Sequence, residues 1–449
     1  MRILEVRRGR APNCSSAGSV VGAALLGAVA GAAVINLYAA AFTEWVRRAT
    51  DGRDDGTKPA SAPRIRASDD GGTLALPGAP DRPPALLALD TAGVAAALAA
   101  GARRVGDAAR APDEVHLTVT TRCPAACTAC YLSAGPGEKA DPSLAKLRSD
   151  LDQLADMGVF EVAFGGGEAV LRDDLLALAD HARSRGLVPN LTTSGFGVTP
   201  ARAEAIAARF GQVNVSIDGV GAAYAAVRGW GDASLGLAAV RALSDAGARV
   251  GVNTVLTRVN VSHLRALAAA IVDAGATEWQ WLRLKPAGRG VDAYAGLALD
   301  EAQRAALWPL ALELERATGL VIRWDCAMTP FLAQHGSVSP EDAARLGVVG
   351  CVGGTRLMAR DARGGWSPCS FAGVDGDEAA GGELPPAVAY ASDERVLAWR
   401  GRAGAPPAPC DTCGWRDVCR GGCRVVARHL TGDELAPDPE CARVRAWQA

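Results

Sequence analysis

The chain places Cys123, Cys127 and Cys130 in one loop, Thr121-Arg-Cys-Pro-Ala-Ala-Cys-Thr-Ala-Cys-Tyr131, and seven more cysteines, Cys351, Cys369, Cys410, Cys413, Cys419, Cys423 and Cys441, near its end. Twelve Cys against five His, clustered rather than scattered, read as ligands for metal. Only Cys14 and Cys326 stand apart. Three thiolates held so close suit a cubic iron-sulfur cluster whose fourth iron has no protein ligand, and an open iron is a place for chemistry. The alternatives are a zinc site or a disulfide. Zinc calls for a fourth Cys or a nearby His, and the closest, His116, falls inside the strand-like run before the loop.

Length and charge narrow the setting. At 449 residues the chain has room for two or three domains. Its 47 Lys and Arg against 49 Asp and Glu leave a formal charge of −2, which gives no bulk field for holding nucleic acid, so none is expected as a partner. The stretch Ala11 to Thr43 carries no charge. Its residues 17–42 are long enough to span a bilayer, for which about 20 apolar residues suffice, but they are rich in Ala and Gly. Membrane contact and a buried apolar helix are the two readings of this segment. Labile clusters belong in a reducing compartment, so the expected location is cytoplasmic, with anchoring to the inner face of the membrane as the form such contact would take.

Periodicity sets the organisation. Residues 1–49 form the apolar N-terminal segment; residues 50–110 read as a Pro-, Gly- and Asp-rich linker followed by a short helical patch from Ala85 to Ala109. From Glu114 the pattern alternates. Strand-like runs at Glu114 to Thr121, Val159 to Phe164, Val188 to Thr193, Gln212 to Ile217, Arg249 to Leu256 and Glu278 to Leu284 are separated by helical patterns. The first helix has Asp141 to cap it, Pro142 in its first turn and Gly158 to stop it. Such alternation implies parallel pairing, with chemistry at the C-terminal strand ends. The expected boundaries are 111–299 for this α/β core and 300–449 for a Cys-rich region that needs metal as a staple.

With these motifs in hand the chain resembles the radical SAM enzymes, whose signature is CxxxCxxC after the first strand of a partial (β/α)6 barrel. Ala129 stands where the usual aromatic precedes the last Cys, and Tyr131 follows it. The resemblance implies a 4Fe-4S cluster on Cys123, Cys127 and Cys130 that binds S-adenosyl-L-methionine, and cleavage of that cofactor to a 5′-deoxyadenosyl radical. It further implies cofactor contacts from Gly166, Gly167 and Glu168 in the Gly-Gly-Glu run, from Ser194, from Ser216 and Asp218 in Ser-Ile-Asp-Gly, and from Arg228. Close approach of ligand and backbone is the expected reason for the glycines. Pro286-Ala-Gly-Arg289 resembles a turn frequent in the family.

Cys351, Gly364 and Cys369, then Cys410-x2-Cys413-x5-Cys419-x3-Cys423 and Cys441, resemble the SPASM iron-sulfur domain of the same enzymes. That resemblance implies two auxiliary iron-sulfur clusters: an inner one on Cys351, Cys369 and Cys423, and an outer one on Cys410, Cys413, Cys419 and Cys441. Cys326 is the upstream candidate to complete the inner set, the other reading being an iron left open for substrate. SPASM enzymes characteristically modify peptides, by cross-linking or oxidation, which makes a peptide the expected substrate. A small cofactor precursor or tetrapyrrole, and a non-catalytic iron-sulfur or zinc protein, are the alternatives. Ser370 stands where the sulfatase-modifying subgroup has Asp, which argues against that activity. No leader-binding domain is evident before the barrel, so a separate leader-binding protein is expected beside an external electron donor.

Overall fold

The computed structural model describes residues 64–68, 71–76, 85–89, 103–104, 111–137, 141–345, 347–373 and 384–449. The apolar run 17–42 and Cys14 lie outside them. Among the described residues no helix is long and apolar enough to cross a membrane.

Ahead of the barrel the described residues form a four-stranded sheet, which corrects the expected linker at 64–68 and 71–76 and the expected helical patch at 85–89 and 103–104. Strands β1 (Arg64–Ser68), β2 (Gly71–Leu76), β3 (Ala85–Leu89) and β4 (Arg103–Arg104) lie in the order β3-β2-β1-β4. Gly71 and Gly72, which helped to suggest a linker, lie within β2. Ala85–Leu89, an Ala/Leu run ambiguous between helix and strand, is settled by pairing, with Leu89 opposite Gly72. Arg64 anchors the sheet to the barrel floor: it is 1% exposed and donates to the carbonyls of Val159 at 2.7 Å and Gly186 at 3.3 Å. Beside it Ala75 packs with Phe160 and Val188.

The barrel strands are β5 (Glu114–Thr120), β6 (Glu161–Gly166), β7 (Val188–Thr193), β8 (Val213–Ser216), β9 (Val250–Leu256), β10 (Glu278–Arg283) and β11 (Val321–Trp324). They pair in parallel in sequence order. Their helices include Leu144–Met157, Leu175–Ser184, Pro200–Ala207, Ser234–Asp245, Leu264–Asp273 and Glu301–Thr318. On β5 the odd positions Val115, Leu117 and Val119 are buried in the main core, which Leu147, Leu151 and Leu154 join from the first helix. Burying each such side chain is worth about 1.5–3 kcal/mol. Glu114 and His116, on the opposite face of the strand, stay half-buried.

The sheet runs past residue 299. β11 pairs with β10, and a hairpin of β12 (Leu357–Arg360) and β13 (Trp366–Ser367) continues it beyond β5. β12 lies parallel to β5, with Ala359 opposite His116. Gly364 turns this hairpin at φ +99°, a conformation that favours glycine. The last segment, expected to need metal as a staple, also has apolar clusters. Cys351, Cys423, Val425, Val426 and Trp399 pack into one with Leu284, Tyr294 and Ala298 of the barrel, and Leu332, Val338, Ala343, Val348 and Trp415 form another.

Candidate functional site: three sets of thiols

Cys123, Cys127 and Cys130 occupy the loop that leaves the C-terminal end of β5, and backbone bonds from three sides shape it. Cys123 N–H donates to Gly135 at 3.0 Å and Thr128 N–H to Arg228 at 3.2 Å. Arg289 closes the third side: its backbone N–H reaches the Cys130 carbonyl at 3.0 Å, Nε the Cys127 carbonyl at 2.8 Å and Nη2 that of Ala134 at 2.7 Å. Gly288, at φ +53°, lies so close that a side chain there would meet the Cys130 carbonyl oxygen at 2.7 Å. The Pro-Ala-Gly-Arg turn thus clamps the cysteine loop, a role its sequence did not disclose. Asp141, expected as a helix cap, instead accepts from Thr120 Oγ1 and Arg122 Nε, both at 2.8 Å, and Ser143 caps the helix.

The Gly-Gly-Glu run lies against the same loop. Gly167 N–H donates to Thr120 at 2.7 Å and Glu168 N–H to Arg122 at 2.8 Å. A Cβ on Gly166 or Gly167 would run into the backbone of Thr120–Arg122, whereas Gly165 has open space. In this structure, then, the glycines at 166 and 167 answer to approach between two backbone segments. Glu168 is wholly buried. Its carboxylate accepts from Thr193 Oγ1 at 2.7 Å, Val170 N–H at 3.3 Å, Ser194 N–H at 2.8 Å and Ser194 Oγ at 2.6 Å. Burial outweighs these bonds and raises its pKa. The geometry makes Glu168 the tie between the ends of β6 and β7.

Ser216 ends β8. Asp218 follows it, accepting from Arg228 Nε at 2.6 Å and Val255 N–H at 2.7 Å. Burial opposes the charge on Arg228, but Asp218 and the neighbouring Cys127 outweigh it and raise its pKa. Arg228 Nη1 lies 3.8 Å from Cys127 Sγ, and the indole Nε1 of Trp230, a residue that sequence reasoning missed, lies 3.0 Å from the same sulfur. The residues expected at the first site therefore do gather at the C-terminal ends of β5 to β8.

The inner set sits beside this site. Cys351 and Cys423 are buried in one cluster with Cys369 packed against it. Cys326 starts a short 3-10 turn after β11, and Ala327, the next residue, belongs to that cluster. Burial first, then Cys351 and Cys423, pushes Cys369 up to about 12, and burial, against the pull of Arg283 and Lys285, pushes Cys423 up to about 11. Burial also raises Cys326, with Asp325, Cys351 and Cys369 adding to the shift. Lys285 pairs with Asp325 and lies 4.5 Å from the Phe371 ring, which is 4.6 Å from Tyr131. His116 Nδ1 is 2.6 Å from Ser370 Oγ, and Nε2 is 3.2 Å from Glu114. Burial works against charge on this ring, but the Glu114 and Glu161 carboxylates outweigh it and hold its pKa above 6.5.

The outer set lines a single pocket: Cys410, Cys413, Cys419 and Cys441, with Pro330, Trp415 and Asp438 among its walls. Burial pushes Cys410 up to about 11, against the pull of Arg402. Arg283 of β10 joins this region to the barrel, donating to Asp438 at 2.6 Å, Glu440 at 2.7 Å and the Ala327 carbonyl at 2.9 Å. Asp438 in turn accepts the N–H of Cys423 at 2.9 Å. All eleven described cysteines are free thiols. Among the described residues no three His, Cys, Asp or Glu side chains converge as ligands of one ion would.

Comparison with known proteins agrees with the fold. The model of the Radical SAM superfamily matches residues 117–271. The mycofactocin maturase MftC of Mycolicibacterium smegmatis is 32% identical over 339 residues, covering 74% of this chain and 82% of that protein. The PqqA peptide cyclase of Streptomyces rochei is 32% identical over 341 residues, covering 74% and 89%. Among solved structures, SuiB of Streptococcus suis bound to S-adenosylmethionine superposes with a TM-score of 0.63 at 15% identity, covering 85% of this chain and 99% of that one. SuiB bound to its precursor peptide SuiA gives 0.60 at 17% identity, covering 74% and 76%.

Proposed function

We propose, because the chain belongs to the radical SAM superfamily of enzymes, that it is a peptide maturase with two auxiliary clusters in addition to the family's S-adenosylmethionine-binding 4Fe-4S cluster. The observation that carries this reading is the sorting of eleven free thiols into three sets, one at the barrel strand ends, one in a buried core beside it and one around a pocket. Cys123, Cys127 and Cys130 would hold the first cluster. Cys351, Cys369 and Cys423, completed by Cys326, would hold the inner auxiliary cluster, and Cys410, Cys413, Cys419 and Cys441 the outer.

The donor chemistry fits such groups. Thiols such as Cys123, Cys369 and Cys410, pushed up to about 11 or 12 by burial and by their neighbours, do not persist together as thiolates without compensating positive charge. Cluster iron supplies it. When bound, the first cluster and S-adenosylmethionine supply hydrogen-atom abstraction from substrate. The chain's own part is positioning: Arg289 and the Gly166-Gly167 backbone fix the cysteine loop, Glu168 ties Ser194 to the glycine run, and Asp218 orients Arg228. Tyr131 and Phe371 form a partly apolar wall between the first and inner sets, with His116 and Ser370 offering polar contacts beside it.

A peptide is the substrate class best supported. One relative is a PqqA peptide cyclase, and a fold neighbour was solved with a precursor peptide. Delivery by a separate leader-binding protein, electrons from an external donor and residence in the cytoplasm belong to the same proposal. The test is iron and sulfide content after anaerobic reconstitution, beside a Cys123, Cys127, Cys130 triple Ala variant, with assays for 5′-deoxyadenosine and for a mass change in a candidate precursor peptide. About twelve irons falling by about four, with loss of deoxyadenosine, is the expected result for three cubic clusters. Zinc in place of iron, or no cofactor cleavage by the intact protein, refutes the enzyme reading; turnover of a tetrapyrrole instead of a peptide refutes the substrate class.

A further inference from the structure

We infer that Trp230 sets the reduction potential of the cluster on the Cys123, Cys127, Cys130 loop by donating its indole N–H to the sulfur of Cys127. The inference rests on the reading of that loop as a cluster site. The Nε1 to Sγ distance is 3.0 Å, and the other donor on this sulfur, Arg228 Nη1, is more distant at 3.8 Å. The ring is held from two sides. Phe196 stacks on it at 5.3 Å, tilted by 31°, and Tyr224 meets it edge-on at 5.8 Å and 84°.

The backbone secures the same contact. Thr128 N–H donates to the Arg228 carbonyl, which lashes the Arg228–Trp230 strap to the cysteine loop. Gly229 turns between them at φ +76°, and a Cβ there would collide with the Thr128 hydroxyl. Neither device is needed to fill a core, since Trp230 is only half-buried. Together they deliver one N–H to one sulfur.

The sign follows from charge. An added electron increases negative charge on the ligating sulfurs, so a hydrogen bond to Cys127 is stronger in the reduced state and favours it. Removing the donor makes the cluster harder to reduce. Arg228 holds its longer contact to the same sulfur in wild type and variant alike, with Nε fixed on Asp218, so it does not replace the indole donor.

Trp230→Phe keeps an aromatic ring between Phe196 and Tyr224 and deletes the donor. In the full chain, reconstituted anaerobically, the variant and wild type are titrated with redox mediators and the reduced first cluster is followed by electron paramagnetic resonance, the triple Ala variant supplying the auxiliary background. The expected result is equal iron and an equal melting temperature, but a reduced-to-oxidised ratio about tenfold lower at fixed poise, which is about 59 mV for a one-electron couple. A second measurement needs no variant: pulsed resonance on wild type carrying 15N-indole tryptophan should show one indole nitrogen coupled to the reduced cluster. An unshifted potential in a fully loaded variant, or no indole coupling in wild type, overturns the inference alone. Absence of any reducible cluster on the loop in wild type overturns the reading beneath it and the inference with it.

Discussion

Replacing Gly167 with Ala tests the packing of the glycine run on the cysteine loop, and Gly165→Ala in the same run is its control. At Gly167 the new Cβ would lie 2.6 Å from the Arg122 carbonyl carbon and 2.9 Å from that of Thr121, with the Arg122 oxygen closer still. All of these atoms are backbone, so no side chain can swing aside. Reaching an ordinary contact of about 3.4 Å requires a retreat of at least about 0.8 Å, which stretches the 2.8 Å bond from Glu168 N–H to Arg122 to about 3.6 Å and breaks it. A buried N–H left unsatisfied costs about 1–3 kcal/mol, and overpacking adds about 1–3 kcal/mol. The loss expected is therefore about 2–5 kcal/mol, seen as a fall in melting temperature of at least about 5 °C. Because Arg122 immediately precedes Cys123, iron bound per chain should fall as well. Gly165→Ala meets nothing within 4 Å and should stay within about 0.5 kcal/mol of wild type. The assays are anaerobic thermal melts and iron counts on all three proteins; a Gly167→Ala protein that melts and loads like Gly165→Ala refutes the reasoning.

Three further outcomes follow from the site. Arg283→Met leaves Asp438 and Glu440 facing a lost cation; breaking such a buried pair costs about 3–5 kcal/mol, to be seen as faster proteolysis of the segment after residue 404 while the barrel persists. Because the folded pKa of His116 is raised, its stabilising contribution is complete below about pH 6.5 and is lost as pH rises through the folded value. The melting difference between wild type and His116→Gln should therefore shrink between about pH 6 and 8, and a difference that grows across that window sinks the assignment. Removal of metal by chelation under reducing conditions should expose residues 405–449 to protease before the barrel helices, as expected of a segment whose small cores depend on its thiol sites; equal cleavage rates with and without metal would count against that dependence.

The barrel was legible because its information is local. Val115, Leu117 and Val119 alternate, Gly158 stops its helix, and three cysteines follow directly on a strand. The short strands were not. Ala85–Leu89 has no period that distinguishes strand from helix, and β12 and β13 are too short to show one, so their identities come from partners distant in the chain. The same holds for the site. Cysteine spacing grouped the thiols, but nothing near Arg283 announces Asp438, 155 residues away, or near Lys285 announces Asp325. Glu168 lies just past the end of β6, where its sequence position puts it, yet three of its four hydrogen bonds depend on how Thr193 and Ser194 are brought to it by the neighbouring strand.

The hairpin that lengthens the sheet has a consequence for engineering. Since β12 is bonded along β5, and Arg356 also pairs with Asp113 at the start of that strand, the cysteine-rich portion cannot be exchanged between relatives by cutting at residue 300. A chimera spliced there would have to rebuild a parallel strand pairing with a foreign β5 in the correct alignment. A one-residue slip would turn the hairpin over and carry Cys369 away from Cys351. Working hybrids should therefore inherit β5 and β12 from the same parent, with the graft made in the exposed turns of the outer region.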